Sequence, residues 1–309
     1  MLINTRKIRH NIIQGIEDLG YEYELSGLLN IQIDNISLIF YAREYDLCYI
    51  DADVPHLVKG KKNITLLCPL DFTENNPEIS YIKVKYPKLV FYYASHLFGN
   101  NRIFEIDPNM SEKYPGAIIG KNCKIGNDVN IQAGAIIRNN TIIGDGTTIE
   151  TGTVIGSTGL LWVWDNERSK KVMLTTTGGT EIGKNCYICS NVSIVRGSCN
   201  EITMIKDGVM IAPGTAVGHG CTIGKNTHIA NNCTLGGSVI IGEKCFLGCA
   251  ATISPNAIVG NNVVVASGAC IIPNDKVGDD VIVAGIPAIT KKKNLKNTNL
   301  KGIPNRNVN

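Results

Sequence analysis

Every sixth residue of this chain is aliphatic over most of its length, and no other feature limits the fold so tightly. From Ile119 the positions run Ile125, Ile131, Ile137, Ile143, Ile149 and Ile155. A second run holds Ile182, Ile188 and Ile194. A third starts at Ile205 and keeps Ile, Val or Leu at fourteen successive positions, closing on Val277 and Val283. Four residues after most of these stands a small or β-branched residue, as at Ala135, Thr141, Val209, Thr227 and Ala251. A six-residue unit with two inward positions is too short for a helical repeat. It suits a short strand and a tight turn, in which Gly or Asn takes dihedrals that other residues avoid. Three units make a coil of eighteen residues, and coils stacked about 4.8 Å apart place like residues above one another.

The ladder accounts for a composition that is 44% hydrophobic but 6% aromatic, with 32 glycines among 309 residues. It also explains cysteine usage. Eleven is an odd count in a chain too long to need staples, which implies free thiols, a reducing compartment and a cytoplasmic location. Cys123, Cys186, Cys221, Cys233 and Cys245 fall on the small inward position, where a thiol serves as apolar filler. A net charge of +3 gives no field that would select nucleic acid or an anionic membrane. No run of 18 apolar residues and no secretory leader is present, so neither a membrane span nor export is expected.

Residues 1–110 read as a small α/β domain. Ile8, Ile12, Ile16 and Leu19 lie at helical spacing before Gly20, and Pro87 opens a second helix that runs to Phe98. Strands are expected near Leu28 to Ile33, Ser37 to Tyr41, Leu47 to Ile50 and Ile64 to Cys68. Residues 111–289 form the solenoid. Residues 157–180 leave it as a loop, because Ile155 and Ile182 are out of step, and a second break separates Ile194 from Ile205. From 290 to 309 a basic tail follows.

Interruptions of a solenoid are where function is placed. His219 and His228 are its two histidines, both off the inward positions. A zinc site needs three converging imidazoles, so no metal is expected. One histidine is enough for a general base, since its ordinary pKa of about 6.5 suits proton transfer near neutrality. His228 reads as a solvated side chain. His219 differs, because the residue one coil later is Gly237, whose bare backbone N–H would lie near the imidazole as an oxyanion donor. One coil earlier, Asn200 or Glu201 would hold the second ring nitrogen. Without a Ser or Cys nucleophile, this set points to direct attack on an acyl thioester. Cys221 and Cys233 are the nearest thiols, but both sit at core positions.

The pattern of an aliphatic followed by Gly and, three later, a small residue resembles the hexapeptide-repeat left-handed parallel β-helix. Within that class, Tyr86-Pro87-Lys88-Leu89-Val90, Ala94 to Phe98, Ile155-Gly156-Ser157-Thr158-Gly159, Arg196-Gly197 and Val217-Gly218-His219 resemble the UDP-3-O-acylglucosamine N-acyltransferases of lipid A synthesis. The resemblance implies His219 as base, Gly237 as oxyanion donor, a homotrimer with active sites between neighbouring solenoids, and a role in surface glycans such as lipopolysaccharide. The family's uridine-binding aromatic and asparagine are not matched in Ile39 to Tyr45; Tyr45 is kept, and Phe40 or Tyr41 could stack on a base. The family's second histidine is replaced within Ser254-Pro255-Asn256, and its long C-terminal helix, which engages acyl carrier protein, is absent. These departures imply another nucleotide-linked amino sugar and a shorter acyl group. Gly285-Ile286-Pro287-Ala288 resembles coenzyme A-dependent members of the superfamily, so Asn256, Gly285, Ile286, Pro287, Lys291 and Lys292 are expected to meet acyl-coenzyme A, with acyl carrier protein the other candidate donor. O-acylation of a sugar hydroxyl, or a solenoid without catalysis, would keep the same ladder.

Overall fold

The computed structural model describes residues 5–29, 31–74, 76–99 and 104–293, which fall into two compact units. One comprises Ile103–Gly159, Gly178–Gly197 and Ile202–Asn309; the other joins Met1–Arg102 to Leu160–Thr177 and Ser198–Glu201.

The first unit is the solenoid. Its strands, most of them two residues long, line up in three sheets of eight, nine and eight strands. Ile118 pairs with Ile136 and Ile136 with Val154, while Ile223 pairs with Ile241 and Ile241 with Val259, all parallel and all eighteen residues apart. This is the expected mainly β fold, a left-handed parallel β-helix of hexapeptide repeats. The rungs form one continuous core from Ile119 to Val283.

The turns use their small residues differently from the expectation. The left-handed backbone falls three residues after the rung, at Asn122, Asn140, Asn185 and Asn226, with φ between 53° and 62°. Asparagine tolerates that region better than most residues do. Glycines next to the rung are there for room. A Cβ on Gly224 would lie 2.6 Å from the Glu243 nitrogen of the next coil.

The inward thiols also do more than fill space. Cys123, Cys186, Cys221, Cys233 and Cys245 each direct Sγ to a turn carbonyl, at 3.2, 3.2, 3.0, 3.2 and 3.0 Å. Thr227 does the same to Gly242 O at 2.8 Å.

At the first break Thr141 pairs with Thr180, so one coil contains a long excursion. At the second, Gly179 pairs with Ile202, and a short one follows the same coil. The excursion is narrower than 157–180: Val154–Ser157 and Gly179–Ile182 are coil strands, and 160–177 departs. It is not a plain loop either, because Trp162–Asp165 and Lys170–Met173 pair as a hairpin. The solenoid ends in Val281–Ala284 paired antiparallel with Ile289–Lys293, so the basic stretch expected as a tail begins as a closing strand. Residues 294–309 lie outside the described residues.

The second unit is α/β. Helix α1 (Thr5–Asp18) and helix α2 (Pro87–Ser95) accompany a five-stranded sheet of β1 (Tyr23–Gly27), β2 (Asn35–Ile36), β3 (Asp46–Tyr49), β4 (Thr65–Cys68) and β5 (Ser80–Val84). Its order is β1-β5-β4-β3-β2, and β1 alone runs antiparallel. The strand expected from Leu28 to Ile33 lies earlier, because Gly27 at φ 69° ends β1 and turns the chain. Ile12, Ile16, Leu67, Ile82 and Phe91 form the core, joined by Val172 and Leu174 of the hairpin and by Cys199 of the second excursion. This unit is therefore not residues 1–110 alone. Among the described residues no helix is long and apolar enough to cross a membrane.

Candidate active site

One corner of the solenoid follows the strands Ala216–Val217, Thr234–Leu235 and Thr252–Ile253. His219, Gly237 and Pro255 occupy equivalent places in it, one coil apart. The strand register fixes this stacking, since Val217 pairs with Leu235 and Leu235 with Ile253. A Cβ on Gly237 would overlap His219 Nε2 and lie 2.8 Å from Cε1 and 2.9 Å from Cδ2. The imidazole thus rests on the bare Cα of Gly237, as the stacking argument anticipates. Gly237 lies outside the left-handed region, so contact with the ring is what excludes a side chain there. Gly236 answers to a different neighbour. A Cβ on it would lie 2.6, 2.7 and 2.8 Å from N, Cδ and Cγ of Pro255.

Hydrogen bonds fix the corner. Ser238 N–H donates to His219 O at 2.7 Å, Asn256 N–H to Gly237 O at 3.0 Å, and Gly220 N–H to Thr203 Oγ1 at 2.8 Å. Cys221 Sγ donates to Gly236 O at 3.0 Å, holding the carbonyl of the Gly236–Gly237 peptide. The N–H of that peptide, on Gly237, has no acceptor among the described residues. An imidazole and an uncommitted amide donor therefore share one corner. Neither thiol competes as a nucleophile. Cys221 is buried and spends its proton on Gly236 O, while burial pushes the Cys233 thiol up to about 11. His228, read as solvated, is half-buried and packs on Phe246 one coil later, with ring centroids 5.4 Å apart. Burial lowers its pKa, and its place is structural.

The expected sugar-site residues Tyr41, Tyr45, Asn200 and Glu201 all belong to the α/β unit. Asn200 Nδ2 donates to Asp46 Oδ2 at 3.2 Å, next to Tyr45, and Asp46 also accepts the Arg43 N–H at 2.9 Å. Burial raises the pKa of Asp46 despite these bonds. Glu201 accepts from the Ser198 N–H and Oγ, both at 2.9 Å. Burial, and then the charge of Glu201, raise the pKa of Tyr41. Phe40, Tyr41 and Tyr45 are 70%, 51% and 40% exposed, which leaves three aromatic faces open around this cluster. The second excursion thus brings Asn200 and Glu201 to the stretch that holds Tyr41 and Tyr45, an association that spacing alone did not reveal.

The residues expected to meet acyl-coenzyme A are not gathered in one place. Asn256 is exposed in the His219 corner, at φ 62°. Gly285 and Ala288 bond instead to Cys270, at the opening of its strand one coil on: Cys270 N–H donates to Gly285 O at 3.0 Å and Ala288 N–H to Cys270 O at 2.7 Å. Between them Ile286 is 79% exposed and the Ile286–Pro287 peptide is cis. Lys291 is exposed on the closing strand, which also carries Lys292; the Lys292 side chain is outside the described residues.

The family model of the bacterial transferase hexapeptide, six repeats, matches residues 122–157 and 202–237. The second match ends on Gly237. No curated protein matches the chain. Among solved structures it is similar to LpxA from Acinetobacter baumannii, with 25% identity over 58% of this chain and 73% of that one and a TM-score of 0.48. It is similar also to the UDP-N-acetylglucosamine acyltransferase from Campylobacter jejuni, with 25% identity over 58% and 74% and a TM-score of 0.43. For the UDP-N-acetylglucosamine O-acyltransferase from Moraxella catarrhalis the values are 20%, 59%, 74% and 0.47.

Proposed function

We propose that the protein is an acyltransferase that moves an acyl group from a thioester to the amino group of a nucleotide-linked amino sugar, with His219 as general base. The observation that carries this reading is the imidazole seated on Gly237, beside an amide N–H that the fold leaves uncommitted. The transferase hexapeptide repeats in which both residues lie support it.

In the proposed reaction the amine lone pair attacks the thioester carbonyl carbon. His219 takes the proton that the nitrogen sheds, and the C=O electron pair moves onto oxygen, where the Gly237 N–H stabilises it. Collapse of the tetrahedral intermediate breaks the C–S bond, and the thiolate leaves with the proton from the imidazolium. Coenzyme A is the proposed carrier, with Asn256 near the reacting carbon and Gly285, Ile286, Pro287, Lys291 and Lys292 toward its distal part. The exposed aromatics at Phe40, Tyr41 and Tyr45, with Asn200 and Glu201, are proposed to receive the nucleotide sugar.

The test is thiol release from acetyl-, hydroxybutyryl- and longer acyl-coenzyme A, and from the matching acyl carrier proteins, against nucleotide-linked sugars bearing free amino or hydroxyl groups. His219→Ala is expected to lower kcat by about 10² to 10⁴-fold with circular dichroism unchanged. Wild-type turnover in that variant would remove the mechanism. Transfer to hydroxyl acceptors alone would replace the amino acceptor with an ester-forming one.

A further inference from the structure

In the neighbouring corner of the solenoid, the amide two residues after a rung is repeatedly capped by the side chain one coil on. Asn127 N–H donates to Asp145 Oδ1 at 2.9 Å, Glu243 N–H to Asn261 Oδ1 at 2.9 Å, and Asn261 N–H to Asp279 Oδ1 at 2.7 Å. Across the second excursion, Lys184 N–H is capped by Asp207 Oδ1 at 3.0 Å. Gly237 is the same kind of position, two residues after the rung Leu235, and the residue one coil on is Pro255. Proline offers no side-chain acceptor. Its ring packs instead on Gly236, whose missing side chain makes the space.

Resting on the acyl-transfer reading, we propose that Pro255 is a positioning residue: it withholds the side-chain cap that four amides of the neighbouring corner receive, and so keeps the Gly237 N–H open for the acyl oxyanion. Cys221 completes the arrangement by occupying the carbonyl at the other end of the same peptide. The donor is thus held at its oxygen and vacant at its hydrogen. A capped amide would have to break its own hydrogen bond before it could stabilise a transition state, whereas an open one needs no rearrangement.

Pro255→Asn tests this by installing the cap with the side chain that already makes it at Asn261. Pro255→Asp is a second version should the first fold poorly. Pro255→Ala removes the ring without adding an acceptor. Amide hydrogen exchange on the full-length protein, resolved to Gly237 by fragmentation in the mass spectrometer, is expected to slow about three- to tenfold in the Asn variant and not in the Ala variant. The kcat of the Asn variant is expected to fall about 10²-fold or more, with KM for both substrates within a small factor of wild type, while the Ala variant stays much closer to wild type. Unaltered Gly237 exchange in both capped variants would overturn the proposal, as would equal kcat loss in the Ala variant. Slowed exchange with full kcat, alongside an inactive His219→Ala, would overturn it while leaving the acyl-transfer reading in place. Absence of thiol release by the wild type with every acceptor would remove both.

Discussion

An alanine at position 237 meets no left-handed backbone, and at such a site replacing glycine ordinarily stabilises a protein by about 0.4–1 kcal/mol. Its new methyl group would nevertheless occupy the space of the His219 ring. Gly237→Ala is therefore expected to fold at a midpoint temperature within a few degrees of wild type while losing about 10²-fold or more in kcat, because the proposed base is pushed from its place. Thermal melts and the thiol-release assay on one preparation check both halves, and full activity would show that the ring does not work from this position. Sequence arithmetic alone paired His219 with Gly237, since the coil length is constant across those residues. It could not show that Gly236 and Gly237 serve different neighbours, a proline ring from one coil and an imidazole from the other, because adjacent glycines look alike in one dimension.

Within the repeat, the position three residues after the rung takes left-handed backbone whatever the residue. Lys244 and Ala250 both adopt φ 57° there. For residues with a Cβ that region costs about 1–2 kcal/mol, so Ala250→Gly is expected to raise stability by about 1 kcal/mol at this exposed turn. Urea titration checks the sign, and a loss would mean that the turn is set by contacts rather than by dihedral preference. The strands themselves were legible in the sequence because the rung recurs at every sixth position along the coils and a small filler follows most of the rungs. The excursions were legible as losses of phase, but their contents were not. Trp162–Asp165 and Lys170–Met173 form a hairpin through a local turn, and Val172 and Leu174 join a core whose other members stand far away in the chain. Periodicity carries no information about such a destination. The same holds for Asn200, whose amide meets Asp46 only because a five-stranded sheet carries β3 to it.

At the level of the molecule, the α/β unit is stitched together from three stretches of chain. Asp165, fully buried on the hairpin, accepts Tyr93 Oη at 2.7 Å and Arg168 Nη1 at 3.3 Å, while Arg168 donates also to Tyr21 Oη at 3.1 Å and to Leu19 O. Although burial opposes it, the hydrogen bonds from Tyr93 and Arg168 keep the Asp165 pKa below the usual carboxylate value. A depressed pKa stabilises the fold at pH above the unfolded-state value and loses that contribution as pH falls through the folded one. Asp165→Asn is therefore expected to cost about 2 kcal/mol at neutral pH and to flatten the fall in stability on acidification, as denaturant unfolding at pH 7 and below pH 4 would show. A slope identical to wild type would dissociate this carboxylate from acid stability. The three-stretch construction also bears on how such a molecule can be inherited. A single crossover near residue 102 would pair one parent's helices and sheet with the other parent's hairpin and with a foreign residue at 199. Their shared core would then have to match by chance, so new acceptor preferences in this architecture should arise by point substitution on a retained framework far more readily than by recombination of intact cassettes.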